Sequence, residues 1–245
     1  MKKIIVGIGF FCMLIPSCEA AKENFEEDMI NTSAGELKIT FIGHGTLMFT
    51  FGGRVIHVDP VSRETDYTRM PKADVVLITH EHGDHLDPEA VNAIRTDRTE
   101  IVLTELCAKK IQNGLVMKNG DEKTVCGFKI KAVPAYNVVH KRNSEQPYHP
   151  KGDGNGYIIT FGDKTVYVAG DTEDVPEMKT LKGIDIAFLP MNVPYTMTPA
   201  MVADAAKAFK PKILYPYHYG NTNTRELLKL MENVDGIQVR IRDMK

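Results

Sequence analysis

The chain has almost no net charge, no Cys-x-x-Cys pair and no apolar run long enough to cross a bilayer. Lys and Arg number 30 against 32 Asp and Glu, a formal charge of −2, so there is no basic field to hold nucleic acid. The four cysteines lack the spacing of a thiolate zinc site. Apolar residues make up 43% and charged residues 25%, an ordinary globular balance that excludes a disordered chain and a polytopic membrane protein. A length of 245 residues fits one α/β domain and leaves no room for an added flavin domain. What the chain does have is eight histidines.

Met1-Lys2-Lys3 followed by the apolar residues 4–15 has the form of a secretory signal, too short for a spanning helix. Two processing sites compete. Ile15-Pro16-Ser17-Cys18 resembles a bacterial lipobox, which would place lipid on Cys18, and Cys18-Glu19-Ala20 offers a small-x-small signal peptidase site. The expectation is an export signal over 1–17, a polar and acidic tether over 18–34, and a folded domain over 35–245. The protein is then an exported bacterial one, periplasmic or membrane-anchored, touching the membrane only through Cys18. Cys107 and Cys126 remain in the body, either paired by an oxidising compartment or as two free thiols.

Within the body, residues 37–42 and 47–51 are β-rich and apolar, and Gly52-Gly53 supplies a hairpin turn before 54–58. Residues 75–79 form a short continuous apolar run, as in a fully buried strand. Asp87-Pro88 and Thr198-Pro199 open helices with a capping side chain and a proline in the first turn. Strands are expected at 157–161, 165–169, 184–189, 213–217 and 237–241, with a helix at 224–232. Hairpins early and strand–helix alternation late predict an α/β fold with sheets covered by helices.

The stretch Thr79-His80-Glu81-His82-Gly83-Asp84-His85 directly follows the buried strand. In an extended chain, residues two apart point the same way, so His80 and His82 can reach one metal ion. Gly83 permits a sharp turn that brings Asp84 and His85 round to a second position. Imidazole and carboxylate groups in this order suit a borderline metal such as zinc.

His-x-His-x-Asp-His after an apolar strand resembles the signature of the metallo-β-lactamase superfamily. Gly170-Asp171-Thr172 after the strand at 166–169, and His218 at the end of the strand at 213–217, resemble its later motifs in order and spacing. The resemblance covers the chain from Leu37 onward. It implies a four-layer αβ/βα sandwich, two mixed sheets flanked by helices, with metals at one edge. Gly43-His44-Gly45-Thr46 resembles the opening of the branch containing ascorbate phosphate lactonases and the phospholipase D acting on N-acyl-phosphatidylethanolamine.

Carried over residue by residue, the resemblance implies that His80, His82 and His149 hold one zinc ion and that Asp84, His85 and His218 hold another. Asp171 bridges them, and the ions share a hydroxide. Manganese or iron are the other metals considered. His149 sits in a glycine-rich turn 22 residues before Asp171, where the family places its third histidine; His140 is the other candidate. Asp84 would orient the nucleophile or take its proton. Asp59 is read either as a partner of a metal-bound histidine or as a strand-end turn. His44 would contact substrate, or hold a tight turn. Asn137 would donate to a developing oxyanion, and Tyr195 or Tyr219 would line the pocket. His57 is read as structural. Residues 141–156 are expected to form a mobile lid, and Asp153-Gly154-Asn155 resembles a calcium loop without its downstream glutamate.

The leading reading is an exported dizinc hydrolase that cleaves an ester, lactone, amide or phosphodiester bond of a small molecule. An iron-loaded redox enzyme of the same fold and a non-catalytic binding lipoprotein are the alternatives. On the leading reading His82→Ala nearly abolishes turnover, and full activity in metal-replete His82→Ala protein would remove His82 from the ligand set.

Overall fold

A computed structural model describes residues 25–245; the expected signal, its cleavage sites and Cys18 lie outside the described residues. The first sheet runs, in both space and sequence, through β1 (Glu26–Thr32), β2 (Gly35–Gly43), β3 (Thr46–Phe51), β4 (Arg54–Val58), β5 (Val75–Leu77), β6 (Glu100–Leu103) and β7 (Leu115–Val116). Helix α1 (Pro88–Ile94) connects β5 to β6. The second sheet runs through β8 (Glu122–Val125), β9 (Phe128–Ala135), β10 (Gly154–Phe161), β11 (Lys164–Val168), β12 (Ile186–Pro190), β13 (Ile213–Tyr217) and β14 (Gln238–Val239). Helices α2 (Pro176–Lys179), α3 (Pro199–Phe209) and α4 (Thr224–Met231) lie between its later strands in sequence.

Each sheet follows one scheme. Four strands pair antiparallel, β1 to β4 and β8 to β11, and the following three pair parallel. The halves thus repeat each other in hydrogen bonding, although no repeat is visible in their residues. The parallel connections bring the C-terminal ends of β4, β5, β11 and β13 to one edge. Asp59, His80, Asp171 and His218 follow those ends. This is the αβ/βα sandwich that the resemblance implied.

One expectation is corrected at the N-terminus. Part of the segment read as tether is folded: Glu26–Thr32 is β1, paired with β2 from Glu26 opposite Phe41 to Thr32 opposite Gly35. Its polar, acidic residues hide the strand because it lies at the sheet edge, where side chains stay largely exposed. Asp28 ties it down by accepting hydrogen bonds from Tyr215 Oη and from the guanidinium groups of Arg240 and Arg242. The closing strand shrinks to Gln238–Val239.

Local chemistry explains the elements that were legible. Gly52 and Gly53 take φ of 57° and 75°, the left-handed pair a tight hairpin requires. Asp87 accepts from Glu89 N and Ala90 N at the start of α1, and Thr198 accepts from Met201 N at the start of α3. β5 reads as an unbroken apolar run because both of its faces are covered. Val75 and Leu77 enter the core between the sheets, and Val76 and Ile78 pack with Ala90, Val91 and Ile94 of α1. On the far side, Tyr167 of β11 meets Phe209 of α3 with ring centroids 6.1 Å apart. Cys107 and Cys126 are both free thiols, each in a different apolar cluster. Among the described residues no helix is long and apolar enough to cross a membrane.

The inter-sheet core is aromatic at its centre. Phe188 stacks on Tyr215 at 5.0 Å and contacts Phe41 and Phe49 of the opposite sheet at 6.2 and 5.9 Å. Phe188→Ala should therefore cost about 3–5 kcal/mol of stability. Chemical denaturation measures this, and a loss below about 1 kcal/mol would mean that the sheets do not depend on this contact.

Candidate metal centre

The site is assembled from loops at the shared edge. After β5 the chain turns sharply: His85 N and Leu86 N both donate to His82 O, at 3.0 and 2.8 Å. That turn sends His80 and His82 one way and Asp84 and His85 the other. His80 Nε2 lies 3.1 Å from His82 Nδ1, which lies 3.2 Å from His149 Nε2. On the other side His218 Nε2 is 3.7 Å from Asp84 Oδ2. Asp171 stands between the two groups. Its Oδ2 is 3.3 Å from His149 Nε2, 3.8 Å from His80 Nε2 and 3.5 Å from His218 Nε2, and its Oδ1 is 3.4 Å from His85 Nε2. All seven residues expected as ligands therefore converge. His140 stays outside, with Nδ1 2.7 Å from Glu173 Oε1.

The fit to metal rests on polar atoms left without partners. His85 Nε2, His218 Nε2 and Asp171 Oδ1 are buried and make no hydrogen bond. Such atoms carry a desolvation penalty that coordination would remove. Burial would lower His85, but the carboxylates of Asp171 and Asp59 push it up to about 9, so that ring takes a proton where no cation is bound. Burial and the neighbouring His85 hold His80 well below the usual imidazole range, so it presents a lone pair. Burial opposes ionisation of Asp171, but the imidazoles of His218 and His85 outweigh it and keep the carboxylate charged. Asp84 follows the same pattern: burial opposes its charge, and the neighbouring imidazoles of His218, His44 and His85 outweigh it.

A layer of partners orients these ligands. Asp59, fully buried, accepts from His85 Nδ1 at 2.8 Å, from Thr79 Oγ1 at 2.6 Å and from Thr79 N at 2.7 Å. With its proton given to Asp59, Thr79 Oγ1 accepts from His80 Nδ1 at 3.0 Å. One carboxylate thus fixes the tautomers of a histidine on each side of Asp171. Of the two readings of Asp59, the partner role is the one the contacts support. Gly45 leaves room for this arrangement, since a Cβ there would lie 2.7 Å from His85 Cε1.

Asn137 requires a correction. Its Nδ2 donates to Glu173 Oε1 at 3.1 Å and to the main-chain oxygen of Tyr195 at 2.9 Å. Its Oδ1 accepts from His149 Nδ1 at 2.7 Å and His149 N at 2.9 Å. No donor remains for an oxyanion, and the side chain instead positions His149. Glu173, which sequence reasoning missed, anchors this loop. Buried to 1% exposure, it accepts from the backbone N–H of Val138, Val139 and His140 as well as from Asn137. Burial works against its charge, and these donors reverse the effect and lower its pKa. The only trace in the sequence is an acidic residue two places after Asp171.

The remaining expectations divide. His44 lines the site, with Nε2 3.4 Å from Asp84 Oδ2. Tyr195 lines the cleft, whereas Tyr219 is buried and its hydroxyl donates to Arg242 O. His57 is structural: Nε2 donates to Pro71 O at 3.1 Å, and burial lowers its pKa to about 4. The segment expected as a lid is tied down by Arg142 N to Gln146 O at 2.8 Å and Asn137 N to His149 O at 2.9 Å, and its last residues belong to β10. Asp153 and Asn155 form no calcium loop, because Asn155 Oδ1 accepts from Asn119 and its Nδ2 donates to Met117 O. A cleft of 540 Å³ opens over the centre, with Arg63, Arg142, Tyr148 and Tyr195 among its walls.

A family model for the β-lactamase superfamily domain matches residues 38–218, from β2 to the last histidine of the site. The chain belongs to the metallo-β-lactamase superfamily. Within it, the chain is 31% identical over 193 residues to a UPF0173 metal-dependent hydrolase of Pelotomaculum thermopropionicum, covering 75% of this chain and 84% of the relative. A solved structure from Parabacteroides distasonis, provisionally described as a metal-dependent hydrolase, is 55% identical and superposes with a TM-score of 0.86. That match covers 91% of this chain and all of the other. A metallo hydrolase of the archaeon Ignicoccus hospitalis is 26% identical with a TM-score of 0.68, covering 85% and 95% of the two chains. The protein is accordingly a metal-dependent hydrolase of this superfamily.

Because Asn137 orients His149, Asn137→Ala should weaken metal binding about 10–100-fold while leaving the fold intact. Competition with a chromophoric chelator, alongside circular dichroism, reads both. Unchanged affinity would show that His149 needs no such partner.

Proposed function

We propose that the protein is an exported dizinc hydrolase of a small anionic substrate, cleaving an ester, lactone, amide or phosphodiester bond. The observation that carries this is the carboxylate of Asp171 set among four imidazole nitrogens at 3.3–3.8 Å, with His85 Nε2, His218 Nε2 and its own Oδ1 buried and unpartnered. His80, His82 and His149 would hold one ion, Asp84, His85 and His218 the other, and Asp171 both. Two zinc ions, when bound, would supply Lewis acidity at the scissile bond and lower the pKa of a water.

The chain's own residues do the rest. The Asp84 side chain is 35% exposed and forms part of the cleft wall, where it can orient an attacking water and accept its proton. Arg142 and Arg63 border the same cleft, Arg63 with its Nε on Glu64 Oε1 at 2.9 Å, and the guanidinium of Arg142 is suited to a carboxylate or phosphate group on the substrate. Arg142 Nη2 lies 3.0 Å from His82 Nε2. A guanidinium only donates, so this contact puts the His82 proton on Nδ1, the atom facing His80 and His149. As a ligand, His82 would offer Nδ1 and carry its proton on Nε2, leaving Arg142 to face the substrate. Tyr148 and Tyr195, edge to face at 5.0 Å, form an aromatic wall beside it. Export is supported by the charged start and apolar residues 4–15.

Chelation should abolish hydrolysis of bis-p-nitrophenyl phosphate or simple lactones, and added zinc should restore it. Arg142→Ala should raise KM for an anionic ester at least about tenfold, the equivalent of one charge-assisted hydrogen bond, with a neutral ester unaffected. Turnover that survives complete metal removal would overturn the hydrolytic reading, as would iron with a coloured spectrum and no hydrolysis.

A further inference from the structure

His44 sits at the second position of the metal centre in a form that the usual seven ligands do not explain. Its backbone is held in the left-handed region, with φ of 49°. That conformation is costly for any residue with a Cβ and persists only where surrounding contacts demand it. Here the demand comes from His218, itself left-handed at φ of 47°, whose backbone N donates to His44 O at 3.0 Å. The two rings lie against each other with centroids 3.8 Å apart.

The tautomer of His44 follows from its other contact. Nδ1 lies 3.0 Å from the main-chain oxygen of Lys245, which can only accept, so Nδ1 carries the proton. Nε2 is the ring nitrogen turned into the site. It faces Asp84 Oδ2 at 3.4 Å, long for a hydrogen bond. His85 Nε2 and His218 Nε2 are both without hydrogen-bond partners. They fall with His44 and Asp84 in one group whose donor atoms all lie within 4.8 Å of one another, close to the span of a single ion's donor shell.

We infer that His44 is a metal ligand, a third imidazole at the second position through Nε2, held in that tautomer by the main chain at Lys245. The assignment rests on the two-metal reading above. It makes the two positions unequal. The first draws three imidazoles and Asp171. The second draws three imidazoles, Asp84 and Asp171, a set suited to an ion that accepts more than four ligands.

The test is metal stoichiometry and affinity of the full chain, read with zinc by native mass spectrometry and by competition with a chromophoric chelator. His44→Asn keeps a residue type that tolerates the left-handed backbone but is too short to coordinate. His44→Gln keeps a hydrogen-bond donor near Asp84 without an imidazole. In both variants one zinc ion should bind at least about 10–100-fold more weakly while the other is retained, with unchanged thermal melting of the metal-free protein. Wild-type affinity for both ions in His44→Asn would overturn the assignment, even if activity fell. Full second-ion affinity in His44→Gln alone would also overturn it, in favour of a hydrogen-bonding role. A wild-type chain that binds fewer than two zinc ions would instead overturn the two-metal reading, and this inference with it.

Discussion

A buried carboxylate surrounded by imidazoles is the constraint on which this structure depends. Asp171 is 4% exposed and has His80, His85, His149 and His218 around it within 3.8 Å. A charge in that position is tolerable only if compensated, and imidazoles that are to bind metal cannot all compensate it as cations. The architecture therefore provides a place that a metal ion would complete. Both sheets contribute. The first supplies His80, His82, Asp84 and His85 from one turn, and the second supplies Asp171 and His218 from the ends of β11 and β13, with β12 between them.

Around this centre, orientation is achieved with few groups. Asp59 reaches one ligand directly and a second through the Thr79 hydroxyl. Glu173 reaches His149 through Asn137 and gathers three backbone N–H groups of the loop on the way. In each case a buried acid far from solvent sets a proton position on a ligand. The site is thereby organised before any ion arrives, which reduces the ordering cost of binding.

Most of the fold and the convergence of the expected ligands could be read from the residues, for a physical reason. The β5 run, the glycine hairpins and the helix caps each follow from local chemistry, and the ligands lie within a few residues of strand ends. What escaped reading depends on contacts distant in sequence. β1 is an edge strand whose polar face gives no alternation to detect, and Asp28 finds its partners at positions 215, 240 and 242. Asn137 looked like an oxyanion donor because its neighbours across the fold, Glu173 and the Tyr195 carbonyl, were invisible from its own segment. Glu173 itself has no motif, since its partners are mainly backbone groups.

The repeated strand order of the two sheets carries a further implication. Neither half holds a complete site: His149, Asp171 and His218 come from the second, and the remaining expected ligands from the first. Cys107 and Cys126 stay unpaired, so no disulfide joins the halves within the described residues. Two ions seated between the sheets would act as a removable clasp, closing the chain from His80 to His218 as a disulfide closes a loop. Chemistry and mechanical integrity would then share the same few atoms, and the protein's resistance to unfolding would track the supply of metal in its surroundings.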